Sequence, residues 1–388
     1  MNKVIPYGRQ NISSDDIEAV IEVLHSDYLT QGPLVPKFEQ KVAQYCQASM
    51  AVAVNSATSA LHIACLALGV KAEDNVWTSP ISFVASANCA LYCGANIDFV
   101  DIDVNTGNMS ITALAKKLAI AKLNNCLPKV VIPVHLAGQS CDMQAIAELA
   151  KQYDFAIIED ASHAIGAKYQ NLPVGNCLYS DICVFSFHPV KIVTSAEGGM
   201  ALTNQPKLAK HLRQYRSHGI VTEPSLFTEP SHGPWYYQQQ TLGFNYRMTE
   251  LQAALGISQL NRLDDFVAKR NELAKTYDQA FSKTVLDSLY QNIETYSSYH
   301  LYVIQLPYNC ANIHKKIFTS LREKGIFSQV HYIPIHMQPY YQQLGFSFGD
   351  FPNAEQYYLN SISIPLYPDL TSQEQQYVID TLLALLEN

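Results

Sequence analysis

Ser186-Phe187-His188-Pro189-Val190-Lys191-Ile192-Val193-Thr194-Ser195-Ala196-Glu197-Gly198-Gly199 follows the acidic strand end Ile157-Ile158-Glu159-Asp160-Ala161-Ser162-His163 by one crossover unit. A lysine in a loop of hydroxyls and small residues, paired with a carboxylate that ends an apolar run, points to pyridoxal phosphate chemistry. The lysine amine can form a Schiff base with that cofactor's aldehyde, and a buried carboxylate can keep its ring nitrogen protonated so that the ring accepts electrons. Ser186, Thr194, Ser195 and Gly198-Gly199 make a loop able to approach a phosphate and a flat ring closely. Alone, Lys191 would read as a solvated surface residue and Asp160 as a helix cap or a metal ligand. The combination carries the reading.

Working outward, strand-length apolar runs recur at 51–54, 97–100, 130–134, 156–158, 182–185 and 200–202, separated by helices or loops. Residues 56–68 carry the 3.6-residue apolar period of a helix. Continuous apolar strands of this kind predict an α/β fold with a large, mainly parallel sheet covered on both faces. Asp160 then falls where open α/β sheets place their ligand-contacting side chains. Asn55-Ser56-Ala57-Thr58-Ser59-Ala60 lies at a strand-to-helix junction, whose free N–H groups and hydroxyls suit a phosphate, an ordinary N-cap being the alternative.

Residues 12–48 read as helical, with the cap cluster Ser13-Ser14-Asp15 and a break at Thr30-Gln31-Gly32-Pro33. Residues 221–248 change character: Pro224, Pro230, Gly233 and Pro234 interrupt Trp235-Tyr236-Tyr237, aromatics suited to lining a site or an interface. A long helical pattern then runs from Met248 to about Phe281, and strands are expected at 300–304 and 328–332. The division this implies is an N-terminal segment and large cofactor-binding domain over 1–250 and a small C-terminal α/β domain over 251–388.

The chain's 26 basic and 34 acidic residues give a net charge of −8 with no block of five or more like charges, which disfavours a nucleic-acid or anionic-membrane partner. No apolar run reaches the roughly 18–20 residues that span a bilayer, and the start Met1-Asn2-Lys3-Val4-Ile5-Pro6 is polar, so a cytoplasmic location is expected. The nine cysteines show no Cys-x-x-Cys pair, the nearest two being Cys89 and Cys93 at i and i+4. They read as small buried hydrophobes in a reducing compartment, and with the twelve histidines equally dispersed no metal site is expected.

The words Leu29-Thr30-Gln31-Gly32-Pro33, Pro80-Ile81-Ser82-Phe83-Val84-Ala85, Glu159-Asp160-Ala161-Ser162-His163-Ala164, Phe185-Ser186-Phe187-His188-Pro189-Val190-Lys191 and Gly243-Phe244-Asn245-Tyr246-Arg247-Met248 stand in that order. In them the chain resembles the sugar aminotransferases of the DegT/DnrJ/EryC1/StrS family, from Tyr7 to its last helix. The resemblance implies the type I (aspartate aminotransferase) fold of pyridoxal phosphate enzymes. Ser56-Ala57-Thr58-Ser59-Ala60-Leu61, Arg216-Ser217-His218-Gly219 and Gln329-Val330-His331-Tyr332-Ile333-Pro334-Ile335 narrow it to the branch serving pseudaminic acid synthesis.

By that resemblance Lys191 would carry pyridoxal 5'-phosphate and Asp160 would pair with its ring nitrogen. Phe83 would stack on the ring and His163 would lie near its phenolic oxygen. Backbone N–H groups of Ala57 and Thr58, with Ser186, would hold the phosphate, and Asn245 would reach it from the other subunit of a homodimer with shared active sites. Tyr7, Asp27, Tyr28, Leu29, Thr30, Gln329, Val330, His331 and Tyr332 would contact a UDP-linked keto sugar, with Ala57, Ser186 and Asn245 at its edge. The implied reaction moves an amino group from L-glutamate to C4 of a UDP-4-keto-6-deoxy-N-acetylhexosamine in two half-reactions, with pyridoxamine 5'-phosphate between them. Half-buried surface aromatics remain the other reading of Tyr7 and Tyr28 in a chain of 24 tyrosines. Dehydratases of the same fold carry histidine in place of Lys191, and a silent cofactor-binding sensor would have lost Lys191 or Asp160 or gained a DNA-binding segment.

Overall fold

The apolar runs assemble into one seven-stranded sheet in the computed structural model, which describes residues 4–307 and 311–386. In chain order its strands are β1 (Met50–Val54), β2 (Asn75–Thr78), β3 (Asn96–Phe99), β4 (Val130–Ile132), β5 (Ala156–Asp160), β6 (Ile182–Ser186) and β7 (Gly199–Thr203). Across the sheet they lie β1-β7-β6-β5-β4-β2-β3. Strands β2 to β6 are parallel, and β7 runs antiparallel to both its neighbours, β1 and β6.

Side chains alternate between the faces of a strand, and here both faces are covered. Val52 and Val54 pack with Ala60, Leu61 and Ile63 of the helix Ala57–Ala67, whereas Ala51 and Ala53 join Phe38 and Val42 of the helix Leu34–Cys46. Likewise β6 sends Ile182 and Val184 one way and Cys183 and Phe185 the other. The strand β2 was not among those expected. Only Val76 and Trp77 are apolar in it, too short a run to read, and it is buried because β3 and β4 flank it.

Three other expectations are corrected. The helical pattern after Met248 is two helices, Glu250–Leu260 and Leu263–Phe281, parted at Asn261 and Arg262 where the Arg262 guanidinium turns aside to the buried Asp16. The strand expected at 300–304 begins two residues later, as Tyr302–Gln305, paired to Ser361–Ile364. The strand expected at 328–332 does not form. Ile326–Phe327 pairs with Ile5–Pro6, Gln329 makes one bridge to Ser363, and the chain then runs as a loop to Pro334, whose missing N–H cannot extend a ladder.

Leu273, Tyr277 and Phe281 form a separate core with Tyr302, Ile304, Ile362, Ile364, Leu382 and Ile5. Leu263, Phe266 and Val267, earlier in the same helix, belong instead to the core that holds Phe38 and Phe185. One helix therefore spans both cores. At the carboxyl ends of the parallel strands, Asp160 closes β5 and Ser186 closes β6, while register sets Gly199 beside Ser186 on one side and Val54 on the other.

Candidate active site

The turn out of β1 builds a cradle. Ser56 caps the helix Ala57–Ala67 by accepting the Ser59 N–H at 3.1 Å, and Ser59 Oγ donates to Asn55 Oδ1 at 2.7 Å. These side chains are spent on each other, which leaves the N–H groups of Ala57 and Thr58, in the first helical turn, without intrahelical acceptors. A Cβ at Gly199 would lie 2.5 Å from the Ala57 nitrogen. Glycine is what lets β7 start this close to the cradle.

Asp160 is 5% exposed and each of its oxygens accepts a hydrogen bond. Ser86 Oγ donates to its Oδ2 at 2.6 Å, Ser82 Oγ lies 2.6 Å behind Ser86, and the Ser162 N–H reaches Oδ1 at 3.1 Å. Because Ser86 gives its proton to the carboxylate, Ser82 must be the donor to Ser86. Sequence reading passed over this relay, although the i, i+4 spacing of the two serines at a helix start is its signal. Phe83, between them, is 60% exposed with its ring 6.5 Å from that of Tyr332, a flat apolar face turned outward.

Lys191 sits in the loop after β6, which is pinned by the Ser195 N–H to Phe187 O at 2.9 Å and by Thr194 Oγ1 to the same carbonyl at 3.1 Å. Burial pushes the Lys191 amine down to about 8, against the pull of the Asp160 carboxylate. Three histidines from distant parts of the chain surround it. His163 and His300 have ring centroids 4.4 Å apart, and both are held well below the usual imidazole range, by burial first and by the Lys191 charge among other causes. His331 is pushed down to about 3 for the same reasons. His300 was not singled out from the sequence, and its buried Nδ1 has no partner among the described residues.

Neutral histidines have fixed donors and acceptors. The Ala137 N–H gives to His163 Nδ1 at 3.3 Å, so the ring proton resides on Nε2, 3.0 Å from Tyr332 Oη. His163 thus donates to Tyr332 and has no N–H left to give. What it offers a ligand is its ring face, while the Tyr332 hydroxyl keeps its own proton, burial raising that phenol above its ordinary value. His331 Nδ1 meets Ser363 Oγ at 2.8 Å, and its ring is 5.2 Å from Tyr7 and 4.9 Å from Tyr332.

The sequence-derived residues fall into two sets. Tyr7, Phe83, Asp160, His163, Lys191, His331 and Tyr332 are linked by ring contacts, hydrogen bonds or mutual electrostatics, with Ala57, Thr58 and Ser186 at the adjoining strand ends. Gln329 and Val330 border this set through the Gln329 to Ser363 bridge. Asp27, Tyr28, Leu29 and Thr30 are exposed, and the stretch contacts Ser26, Thr249 and Glu250. Asn245 is exposed too, bridged to Ser217. No hydrogen bond or ring contact joins these five to the Lys191 cluster among the described residues.

The donor set fits pyridoxal phosphate: a half-buried amine of lowered pKa, a braced carboxylate at a strand end, an anion cradle whose glycine no other residue could replace, and flat rings between them. The DegT/DnrJ/EryC1/StrS aminotransferase family matches residues 10–383. The chain is 38% identical to the spore coat polysaccharide biosynthesis protein SpsC of Bacillus subtilis, covering 98% of this chain and 96% of that one. It is also 38% identical to a UDP-4-amino-4,6-dideoxy-N-acetyl-beta-L-altrosamine transaminase of Campylobacter jejuni, covering 99% and 98%. Among solved structures, Helicobacter pylori PseC, an aminotransferase of pseudaminic acid biosynthesis, superposes with a TM-score of 0.90 at 34% identity over 99% of this chain and all of that one. The sheet order, the lysine and carboxylate, and this likeness along nearly the whole length have one reading: the chain belongs to the DegT/DnrJ/EryC1/StrS family and is a pyridoxal phosphate-dependent sugar aminotransferase.

Proposed function

We propose that this aminotransferase acts in the cytoplasm on C4 of a UDP-linked 4-keto-6-deoxy-N-acetylhexosamine. It takes the amino group from L-glutamate and forms UDP-4-amino-4,6-dideoxy-N-acetyl-β-L-altrosamine for pseudaminic acid synthesis. The observation that carries this is the near-full-length likeness to the Campylobacter and Helicobacter enzymes so named. The apolar stripe Ile17, Ile21 and Leu24, exposed at i, i+4 and i+7 of the helix Ser14–Leu24, supports a homodimer, in which the exposed Asn245 and Asp27 to Thr30 stretch would complete the partner's site.

The cofactor, when bound, supplies a ring that accepts the electrons left behind as a proton departs from carbon. The chain does the rest. Asp160 would hold positive charge at the ring nitrogen, and the Ser86 and Ser82 relay keeps that carboxylate aimed. Ala57, Thr58 and Ser186 hold the phosphate, and Phe83 and His163 present flat faces to the ring. The Lys191 amine takes the glutamate α-proton and later returns one to the sugar, work for which an amine near pH 8 is suited. Tyr7, His331, Tyr332 and the Gln329-Val330 edge orient the sugar, and the UDP end lends binding energy remote from the reacting carbon.

A second reading, C4 amination of another nucleotide-linked keto sugar, has the equal identity to SpsC in its favour. Competing UDP-4-keto-6-deoxy-N-acetylhexosamine epimers and a dTDP-4-keto-6-deoxyhexose for limiting enzyme, with the amino sugars identified by NMR, separates the two. Exclusive turnover of the dTDP sugar would overturn the proposal, as would an amino donor other than glutamate overturn that part of it.

A further inference from the structure

The helix Leu34–Cys46 starts after Pro33, whose side chain cannot cap it, and no acidic residue stands in its first turn. Its cap comes from 216 residues away. Glu250 Oε2 accepts the Leu34 N–H at 2.7 Å and Oε1 accepts the Val35 N–H at 3.3 Å, with Glu250 only 1% exposed. The Glu250 backbone grips the approach to the same helix: its N–H donates to Leu29 O at 3.0 Å, and Thr249 bridges Thr30. At the other end, Ser26 Oγ accepts the Tyr28 N–H at 3.2 Å and donates to Val23 O at 2.8 Å, which ties the stretch to the helix Ser14–Leu24. Tyr28 and Leu29 are held by their backbone yet remain 55% and 52% exposed.

A polar residue in place of Pro33 would cap the helix equally well. What a carboxylate borrowed from the helix Glu250–Leu260 adds is a tie between two distant segments, with residues 28–30 clamped where they meet. Gly32 shows how close the fit is. A Cβ there would lie 2.6 Å from Tyr28 Cβ and 2.8 Å from Glu250 Oε2. The Lys191 loop is held from the same turn by a different side chain, Gln252 Nε2 donating to Glu197 O at 2.8 Å. The two grips are therefore separable.

We propose that Glu250 is a positioning residue for the nucleotide sugar, fixing the backbone of residues 28–30 so that their side chains meet that substrate already in place. This role rests on the reading that the Asp27 to Thr30 stretch faces the sugar. Contacts ordered during folding need not be ordered again on binding, so they tighten the complex. Glutamate, which that stretch does not touch, gains nothing from it. Glu250 thus acts on one half-reaction of the two.

The test uses holoenzyme and the nucleotide sugar that the wild type selects in the competition described above. Glu250→Gln keeps the side chain's size but leaves one acceptor oxygen for two N–H groups and turns an NH2 toward a backbone donor. It should raise the sugar KM about ten-fold, while the glutamate half-reaction, followed by cofactor absorbance, stays within about two-fold of wild type. Gly32→Ala, which pushes Tyr28 and the carboxylate apart and leaves the cap's chemistry alone, should give the same split, and decides alone if Glu250→Gln does not fold. Equal loss in both half-reactions, or an unchanged sugar KM, would overturn the role. Tyr28→Ala tells the two failures apart. A raised sugar KM in that variant, with Glu250→Gln and Gly32→Ala unaffected, would refute Glu250 and keep the stretch at the sugar; no change in any of the three would remove the stretch from the site as well.

Discussion

A lysine that moves a proton during catalysis must be able to shed one near neutrality, and burial brings Lys191 to about 8. Lys191→Ala should abolish both half-reactions, by several orders of magnitude in single-turnover absorbance measurements, and leave the fold intact, because the half-buried side chain belongs to no hydrophobic core. Undiminished turnover would remove it from the mechanism. The same amine sets the rate at which stripped protein recaptures cofactor: only the neutral form attacks an aldehyde, so that rate should rise about ten-fold per pH unit up to about 8 and then level. Asp160→Asn should still bind cofactor but transaminate about 10²–10³-fold more slowly, since an amide cannot stabilise a protonated ring nitrogen. Normal turnover with weakened cofactor affinity would contradict that role. Ser86→Ala strips Asp160 Oδ2 of its donor and should slow the reaction less, by about ten-fold.

At the scale of elements, the loop through His331 and Tyr332, the turn at His163 and the approach to Tyr302–Gln305 bring three neutral histidines together around one amine. Each imidazole is lowered on folding, so the unfolded chain binds protons first as the solution is acidified. Their stabilising contribution is present above the unfolded value of about 6.5 and lost as pH falls toward the folded values, about 3 for His331. Lys191, lowered from 10.5, has the same sign over a higher window, about 8 to 10.5. The urea midpoint of apo-protein should therefore drop between pH 7.5 and 5.5, and His300→Gln should flatten the drop. A midpoint independent of pH in that window would refute the cluster's neutrality. These elements also mark where sequence reading stopped. Runs such as 51–54 and 182–185 were legible because burial on both faces leaves only apolar residues, and Asp160 and Lys191 because their neighbours are unusual. The strand β2 has two apolar residues, the 328–332 strand lost its ladder after one bridge, and the meeting of His163 with His300, far along the chain, comes from packing, which a linear pattern does not record.

For the whole molecule, the exposure of Asn245 and of the Ile17, Ile21, Leu24 stripe gives the shared-site proposal its test. Inactive Lys191→Ala and Asn245→Asp chains, dissociated and reassociated together, should regain activity in hybrid dimers, where one site has both an intact lysine and an intact asparagine. The aspartate's charge repels the phosphate, which makes the single variant weak enough for rescue to show. Verified subunit exchange without recovered activity would assign Asn245 to its own chain's site. One pairing has a further consequence, in time rather than in space. Ile5 is buried in the core built from Leu273 to Leu382, and Ile5–Pro6 is hydrogen-bonded beside Ile326–Phe327, 321 residues later. At about 5–20 residues per second of synthesis, Ile5 waits roughly 15–65 s on the ribosome before its partner strand has even been made. The seven-stranded sheet can close in that interval, but the Tyr7 backbone, anchored by the Leu366 N–H at 3.0 Å, stays loose until residue 366 has been made, so the Tyr7 edge of the site assembles long after the strands that carry Asp160 and Ser186.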